Sequence, residues 1–324
     1  MEDIRSALAE HAADFASELG QCRAELAKAV KGKEKVINLI LLAILARGHI
    51  LLEDIPGVGK TTLALALSRV LQLTCHRVQF TPDVTPSDVT GYTIYRKHSD
   101  SFEFQPGAAM CNLLLADEIN RTSSKTQSAL LEVMEEGAVT VDMQRHEAPK
   151  PFTVIATQNP AGCAGTQLLP ESQLDRFLIR LTMGYPDRKA EIEILQSKGA
   201  SDPLESLRPL LTARRLLELQ EAAAAVYTDD SLYEYMVEIV SRTRRHELIE
   251  LGVSPRGTIA LLRMARAMAL LSGRDYLLPA DVAAVCLPTL AHRLILRTRA
   301  RAAGKSPEDI LTEILQSVPA PKLI

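Results

Sequence analysis

Tryptophan is absent from this 324-residue sequence, while its charged and hydrophobic fractions, 24% and 47%, are those of an ordinary globular chain. Cysteine is also scarce. The five cysteines show neither paired spacing nor a metal-binding histidine pattern: Cys22, Cys75, Cys111, Cys163 and Cys286. This scatter argues against a disulfide framework and a zinc site. We therefore expect reduced thiols in a cytoplasmic protein.

Long apolar runs are missing as well. The most apolar stretch, Val36 to Ala46, is interrupted by Arg47 and is too short to span a bilayer, so we predict a buried helix. The first ten residues are acidic and lack the apolar region of a signal peptide. The net charge of −3 argues against a large non-specific nucleic-acid surface. We expect no membrane segment and no nucleic-acid partner.

The most informative stretch is LLEDIPGVGKTT, from Leu51 to Thr62. The apolar run Ile50 to Leu52 predicts a buried strand, a loop with proline and glycines follows, and Thr62 to Leu71 predicts a helix. This layout directs backbone N–H groups and a helix N-terminus at one point, which suits phosphates. Lys60 is expected to reach the β- and γ-phosphates and Thr61 to bind Mg²⁺. The alternative is an ordinary strand–turn–helix.

One position departs from the Walker A pattern, which has glycine where this chain has Asp54. Aspartate is one of the few residues besides glycine that tolerate a left-handed turn conformation. We therefore expect the loop to close with aspartate in place of glycine.

A second apolar run, Asn112 to Ala116, ends in Asp117 and Glu118. Continuous hydrophobicity predicts a strand buried on both faces of a parallel sheet. Ligands bind at the carboxyl ends of such strands in open α/β sheets. Asp117 is expected to hold the water shell of Mg²⁺, and Glu118 to polarise the attacking water. The alternative is a pair of acids that caps the next helix.

Other strand ends also carry polar residues. Asn159 ends an apolar run that starts at Phe152, where it could sense a γ-phosphate or form a turn with Pro160. Arg176 precedes the apolar strand Phe177 to Leu181. Pro186 and the helical pattern that follows it place a domain boundary near Tyr185. We expect a nucleotide-binding α/β domain over 1–187 and a helical domain over 188–324.

Two hairpins are predicted as insertions between core elements. Alternation at Tyr92 and Ile94, and at Phe102 and Phe104, predicts the first within 81–108. The second is predicted from strands at 139–141 and 151–154. Its polar loop, 142–150, carries Arg145, His146 and Lys150 near the tip and could contact a substrate or simply be solvated.

The remaining chain shows helical patterns and no strand patterns. We predict helices at about 188–198, 212–226, 230–246, 256–272, 280–293 and 307–317. Ser254 and Pro255 start one of them well, but Arg256 puts a cation in a first turn where the helix dipole disfavours it. This misfit favours an anionic partner for Arg256, with a surface ion pair as the alternative.

Together these stretches resemble the AAA+ ATPases and, within them, the MoxR family. The strings that carry the resemblance are LLEDIPGVGKTTLA, FTPDVTPSDVTG, FEFQPG, NLLLADEINRTSSKTQSALLEVMEE, ATQNP, LPESQLDRF and GVSPRG. The resemblance runs from about Val30 to the C-terminal helices. It implies an α/β P-loop NTPase (AAA+) core with a parallel sheet and β-hairpin inserts, followed by an all-α lid. It also implies a homo-oligomeric ring, expected to be a hexamer.

The resemblance implies residue roles as well. The implied nucleotide-binding residues are Val30, Gly32, Pro56, Gly57, Val58, Gly59, Lys60, Thr61, Thr62 and Asp117. The implied cofactors are ATP and Mg²⁺, and Thr61 and Asp117 would bind the metal. Asp117 and Glu118 would form the Walker B motif, and Asn159 would be sensor 1. Arg176 resembles an arginine finger for the neighbouring subunit's ATP, and Arg256 resembles sensor 2.

The expected function is ATP hydrolysis that remodels or matures client protein complexes, in the manner of a chaperone. The resemblance implies a partner protein with a von Willebrand A domain. One alternative is a nucleotide-gated switch with incidental hydrolysis. Intact Glu118, Asn159 and Arg176 disfavour it, since a pure binder does not need all three. The other alternative is a DNA motor, which the acidic net charge disfavours.

Overall fold

The computed structural model describes residues 2–54, 57–159, 169–197 and 203–322, with side chains omitted for 2–9 and 197. The strands are β1 (Ile50–Glu53), β2 (Cys75–Gln79), β3 (Gly91–Arg96), β4 (Ser101–Pro106), β5 (Leu113–Asp117), β6 (Ala138–Val141), β7 (Gln144–Glu147), β8 (Thr153–Gln158), β9 (Ile179–Leu181), β10 (Ile249–Leu251) and β11 (Ile295–Leu296). The helices are α1 (Glu2–Ala29), α2 (Glu34–Leu45), α3 (Lys60–Val70), α4 (Pro86–Thr90), α5 (Ser124–Glu136), α6 (Glu171–Leu174), α7 (Arg188–Ser197), α8 (Ala213–Ala225), α9 (Asp230–Arg245), α10 (Pro255–Leu271), α11 (Pro279–Leu290), α12 (Thr298–Ala302) and α13 (Pro307–Ser317).

Five strands form a sheet in the order β2–β5–β8–β1–β9, and every neighbouring pair is parallel. All residues of β5 and β8 are buried, as their continuous apolar runs predict. Because the strands run in one direction, their carboxyl ends share one edge of the sheet and their amino ends share the other. We call these the carboxyl edge and the amino edge.

Side chains alternate between the two faces of the sheet. Leu113 and Leu115 pack in one apolar core with α2 and α3, whereas Leu114 packs in a second core with α5. Helices cover both faces, which confirms the predicted parallel α/β core.

The C-terminal helices share the first of these cores. Leu219 of α8 and Leu270 of α10 are buried in the same cluster as Leu41 of α2. A buried hydrogen bond from Gln220 Nε2 to the Ile44 carbonyl oxygen, 2.7 Å long, ties α8 to α2. The helical lid is therefore packed directly on the first helices of the chain.

The lid also contains a feature that the sequence patterns did not predict. β10 and β11 pair as a short antiparallel ribbon, with Ile249 opposite Leu296. These strands have three and two residues, so they are too short to show an alternating pattern, and their partners lie far apart in the chain.

The predicted second hairpin is wrong in its pairing. β6 pairs with β7, not with residues 151–154, and Asp142 and Met143 form a two-residue turn with φ of +48° and +65°. Such a left-handed pair matches the twist of a hairpin. Thr153 belongs to β8 and pairs with Leu113 in the main sheet. Arg145 and His146 consequently lie on a strand, and Met143 is at the tip. The first hairpin, β3–β4, is confirmed.

Candidate active site

The P-loop lies at the carboxyl edge, between β1 and α3. Gly59 precedes the helix in a left-handed conformation, with φ of +95°, and Gly57 has φ of +85°. Both positions favour glycine for this reason. Lys60 is the first residue of α3, and its buried Nζ donates a 3.1 Å hydrogen bond to the Asp54 carbonyl oxygen. Pro56 is outside the described residues.

A left-handed conformation is not what accommodates Asp54 in this loop. It is not among the non-glycine residues with positive φ. Its side chain is instead nearly buried, with 4% of its surface exposed, and Oδ2 accepts hydrogen bonds from the backbone N–H groups of Met183 and Gly184. Aspartate is accommodated here because its carboxylate has backbone partners in another segment.

A cleft of about 350 Å³ adjoins the P-loop. Its lining includes Val30, Lys31, Gly57, Val58, Gly59 and Thr62. Gly32 forms the neighbouring turn with φ of +68°, and a Cβ there would lie 2.8 Å from the Cβ of Ala190 in α7. The structure therefore brings the turn at Val30 and Gly32, which the resemblance implies in nucleotide binding, and the predicted phosphate loop to one cleft, large enough for a nucleoside.

Asp117 ends β5 at the same edge, next to β8. Its Oδ1 accepts a 2.6 Å hydrogen bond from Thr157 Oγ1, and its Oδ2 lies 2.9 Å from Arg77 Nη2. The Thr157 oxygen also accepts the backbone N–H of Glu118, at 2.8 Å. A single buried hydroxyl thus orients both acids of the DE pair.

Glu118 has a left-handed backbone, with φ of +56°, which turns its side chain away from the strand direction. Oε2 accepts hydrogen bonds from Arg121 Nη1 and from Gln79 Nε2, each 2.8 Å long. Oε1 accepts one from Asn159 Nδ2 at 3.0 Å. The Arg121 hydrogen bond, followed by that of Asn159, lowers the pKa of Glu118 against the opposing effect of burial. Glu118 is therefore a carboxylate at neutral pH.

Asn159 directly follows β8 and is positioned by Asn120 across the sheet edge. Its backbone N–H donates to Asn120 Oδ1, and its carbonyl oxygen accepts from Asn120 Nδ2, both at 3.3 Å. Within the described part of the chain, its side-chain oxygen is buried without a hydrogen-bond partner. That oxygen is available to accept a hydrogen bond from water.

Several residues of this edge were not predicted: Arg77, Gln79, Asn120, Arg121 and Thr157. Gln79 could have been found, because it ends β2 opposite Asp117 in the adjacent strand. The same strand-end reasoning that selects Asp117 and Asn159 applies to it. Thr157 and Arg121 carry no such pattern, since their roles depend on side-chain direction.

Arg176 and Arg256 lie elsewhere, at the amino edge. Arg176 precedes β9, where the Leu178 N–H donates to the His49 carbonyl oxygen just before β1. The length of β1 separates this point from the P-loop by roughly 15 Å at about 3.3 Å per residue. The two predicted arginines are thus brought together with each other, but not with their own chain's P-loop.

A single carboxylate joins these arginines. Glu135, near the end of α5, pairs through Oε2 with Arg176 at 3.3 Å and through Oε1 with Arg256. Arg256, the cation in the first turn of α10, therefore forms an ion pair within its own chain. An ion pair was the alternative considered for this residue. All three residues line a cleft of about 640 Å³, together with Arg47 and Arg263.

The described residues contain no cluster of three or more histidine, cysteine, aspartate or glutamate side chains suited to hold a metal. Thr61, in the first turn of α3, and Asp117 offer one hydroxyl and one carboxylate at the carboxyl edge. Mg²⁺ bound with phosphates commonly takes only one or two protein ligands and keeps several waters. This donor set fits a nucleotide-bound magnesium. In the described segments, no helix has the length and hydrophobicity needed to cross a membrane.

Comparison with known proteins identifies relatives of this chain. The family described as "ATPase family associated with various cellular activities (AAA)" matches residues 49–179, and the AAA lid domain matches 241–314. YeaC of Bacillus subtilis is 48% identical over 94% of this chain and 95% of its own. Chaperone MoxR1 of Mycobacterium tuberculosis is 40% identical over 92% and 81%. The crystal structure of an ATPase candidate from Cytophaga hutchinsonii superposes with a TM-score of 0.90, at 36% identity over 99% and 100%.

Proposed function

This chain belongs to the MoxR family of AAA+ ATPases, and we propose that it hydrolyses ATP between the subunits of a ring to remodel or mature client protein complexes. One observation carries the proposal. The residues suited to bind and cleave ATP lie at the carboxyl edge of the sheet, whereas Arg176 and Arg256 lie together at the amino edge.

The carboxyl edge supplies the nucleotide-binding half of the site. Val30 and Gly32 would border the base, and the loop from Gly57 to Thr62 would surround the phosphates. The proposed magnesium, held by Thr61 and Asp117, would supply positive charge to the phosphates when bound. Lys60 would add a second positive charge at the same place. These roles are supported by the glycine conformations and by the cleft beside the loop.

Glu118 and Asn159 would act on water. The lowered pKa keeps Glu118 ionised at neutral pH, so its carboxylate would orient and polarise the attacking water. Asn159 holds one oxygen of that carboxylate and offers its own unpartnered oxygen to the same region. Together they would direct water towards the phosphate that Lys60 binds.

The amino edge would serve a second copy of the chain. Arg176 and Arg256 share Glu135 at the edge opposite their own P-loop, which supports the proposal that the nucleotide they would contact belongs to a neighbour. A planar guanidinium suits phosphate oxygens, and its addition in trans is worth about 10³- to 10⁵-fold in rate in other nucleotide hydrolases. Each subunit presents a different half of the site at each of its two edges. Such subunits form a ring when the rotation between neighbours closes on itself, and we propose a hexamer.

The two inserted hairpins are the proposed contact with a client. Phe104 of β4 stacks on His146 of β7 with ring centroids 3.7 Å apart, so the hairpins are joined. Phe102 and Met143 project from them with 79% and 99% of their surfaces exposed. Apolar side chains on such joined hairpins suit exposed apolar segments of another protein. A partner with a von Willebrand A domain is part of the same proposal.

A subunit-mixing experiment tests hydrolysis between subunits. Lys60→Ala disables the P-loop half and Arg176→Ala the arginine half, so each variant alone should be inactive. If the halves combine in trans, random mixing in equal amounts restores about one quarter of the interfaces and of the wild-type ATPase rate. A control mixture of Lys60→Ala with Glu118→Gln should stay inactive, because both defects lie in one half. Recovery in neither mixture, or equal recovery in both, would contradict the proposal.

A nucleotide-gated switch is the second candidate. Three donors form hydrogen bonds to the two oxygens of Glu118 and hold the carboxylate in place. This restraint on Glu118 favours the switch. A switch would bind ATP and change partner affinity with little turnover. Steady-state ATPase measurements on assembled wild-type protein distinguish the two functions.

A further inference from the structure

The segment that leaves the sheet towards α7 is held from two sides. We call Met183, Gly184 and Tyr185 the linker segment. Oδ2 of Asp54 accepts the N–H groups of Met183 and Gly184, the latter at 2.9 Å. Lys33 Nζ donates to the carbonyl oxygens of Met183 and Tyr185 at 2.6 and 2.7 Å. The Asp54 carboxylate thus accepts two N–H groups of these three residues, and the Lys33 ammonium group donates to two of their carbonyl oxygens.

Both holding residues are connected to the loops that border the nucleotide cleft. Asp54 opens the P-loop, and its carbonyl oxygen is the acceptor for Lys60 Nζ. Lys33 ends the turn that contains Gly32, and it lines the cleft with Gly57 and Gly59. The linker segment is therefore attached to the two loops that would meet the phosphates and the base.

The linker segment has the form of a joint. Gly184 is left-handed, with φ of +63°, and a Cβ there would meet nothing within 4 Å. Space is thus free on this side of the chain, and the glycine is needed for its conformation alone. Beyond it lies α7, where Ile194 lines the same cleft, and then the lid.

Glycine at position 54 would supply none of these contacts. Asp54 is nearly buried, with 4% of the residue exposed, and a buried carboxylate is retained only with strong partners. Hydrogen bonds from backbone N–H groups to a carboxylate are about twice as strong as neutral ones. The departure from the Walker A pattern therefore adds a rigid connection between the P-loop and the linker segment.

We propose that Asp54 and Lys33 are positioning residues that couple nucleotide occupancy of the cleft to the placement of the lid. The inference rests on the proposed function, because it requires that the cleft bind a nucleotide. A group that engages Lys60 acts on the backbone of Asp54, whose side chain holds the linker segment. The base-side turn acts on the same segment through Lys33, so both ends of the nucleotide are linked to one joint.

Hydrogen exchange of the full-length protein without nucleotide tests the connection itself. The amides of Met183 and Gly184 should be protected in the wild type. In Asp54→Asn the carboxylate charge is lost, and their exchange should become about tenfold faster. Lys33→Met should loosen the segment similarly. Lys35→Met is the matched control, because Lys35 is exposed two residues away and should leave exchange unchanged. Exchange in Asp54→Asn equal to that of the wild type would overturn the inference.

The coupling is tested by repeating the exchange measurement with Mg·ADP at concentrations that saturate each variant, as determined by calorimetry. In the wild type and Lys35→Met, ADP should slow exchange in α10 and α11 of the lid. In Asp54→Asn and Lys33→Met, bound ADP should leave these helices unchanged. A full lid response in both variants would overturn the coupling alone. A wild-type protein that binds no ADP would overturn the proposed function, and the coupling with it.

Discussion

Nδ2 of Asn159 donates a 3.0 Å hydrogen bond to Oε1 of Glu118, across the carboxyl ends of two adjacent strands. This contact joins the two side chains that are proposed to act on water. It leaves the Asn159 oxygen buried without a partner in the described part of the chain.

Asn159→Ala should therefore lower kcat for ATP hydrolysis by about 100-fold, the effect of removing one oriented donor from an active site. ATP binding should change little, because Asn159 is not part of the phosphate loop. Steady-state kinetics and equilibrium binding of a fluorescent ATP analogue measure the two effects separately. Glu118→Gln is the reference variant, with an expected loss of about 10²- to 10⁴-fold. An Asn159→Ala enzyme with wild-type kcat would refute the role of this contact.

Thr157 should be needed for its hydroxyl rather than its size. The hydroxyl is fully buried, donates to Asp117 and accepts from the backbone of Glu118. Thr157→Val keeps the shape and leaves both partners unsatisfied, which should cost about 1–3 kcal/mol of unfolding free energy and lower kcat. Thr157→Ser keeps the hydroxyl and should retain most of both. Urea unfolding and ATPase assays give the comparison; equal losses in the two variants would indicate a packing role.

Glu135 should position the two arginines of the amino edge. Its pairs with Arg176 and Arg256 are partly exposed, with 32% of the Glu135 side chain accessible, so they contribute less than about 1 kcal/mol to stability. Glu135→Gln should lower kcat by about tenfold because the guanidinium groups lose a common anchor. The melting temperature should stay the same. Glu136→Gln, at the exposed neighbouring position, is the control, and a similar kcat in both variants would argue against this role.

Stability should depend on pH through His49. Burial lowers its pKa from 6.5 to about 4, and its neutral ring links the Met134 carbonyl oxygen to the Val154 N–H. Between these values the unfolded chain binds a proton and the folded chain does not, so unfolding free energy falls as pH falls. The loss should reach about 3 kcal/mol by pH 4. His292 contributes in the same direction, because burial lowers its pKa as well.

Urea unfolding between pH 5 and 7 measures this dependence. His49→Gln should reduce the slope by up to about 1.4 kcal/mol per pH unit, the contribution of one proton. His98→Gln is the control, since His98 is exposed, and should leave the slope unchanged. An unchanged slope in His49→Gln would show that His49 does not titrate on unfolding.

Much of the carboxyl edge was predictable, because its chemistry follows from local patterns. Continuous apolar runs identify β5 and β8 as buried parallel strands, and such strands bring their carboxyl ends to one edge. Asp117, Glu118 and Asn159 could thus be grouped before any contact was known. The roles of Arg176 and Arg256 remain predictions, but their common location was not foreseen.

The failures share a cause, which is pairing over long separations. The partner of β6 was misassigned because residues 144–147 are polar, while 151–154 are apolar and belong to the main sheet. The side-chain role of Asp54 was not predicted because backbone preference alone was considered. Its partners lie 129 and 130 residues further along the chain.

The sequence by itself determined the strands of the main sheet, most of the helices and the phosphate-binding loop, since strand burial, helix caps and glycine conformations depend on residues within one or two turns. Only the tertiary structure decided which charged groups meet. Glu135 joins Arg176 to Arg256, and Asp54 and Lys33 hold the linker segment, because folding brings together groups that lie far apart in the chain. Side-chain ion pairs act over a few ångströms, so their choice of partner exists only after the chain has folded.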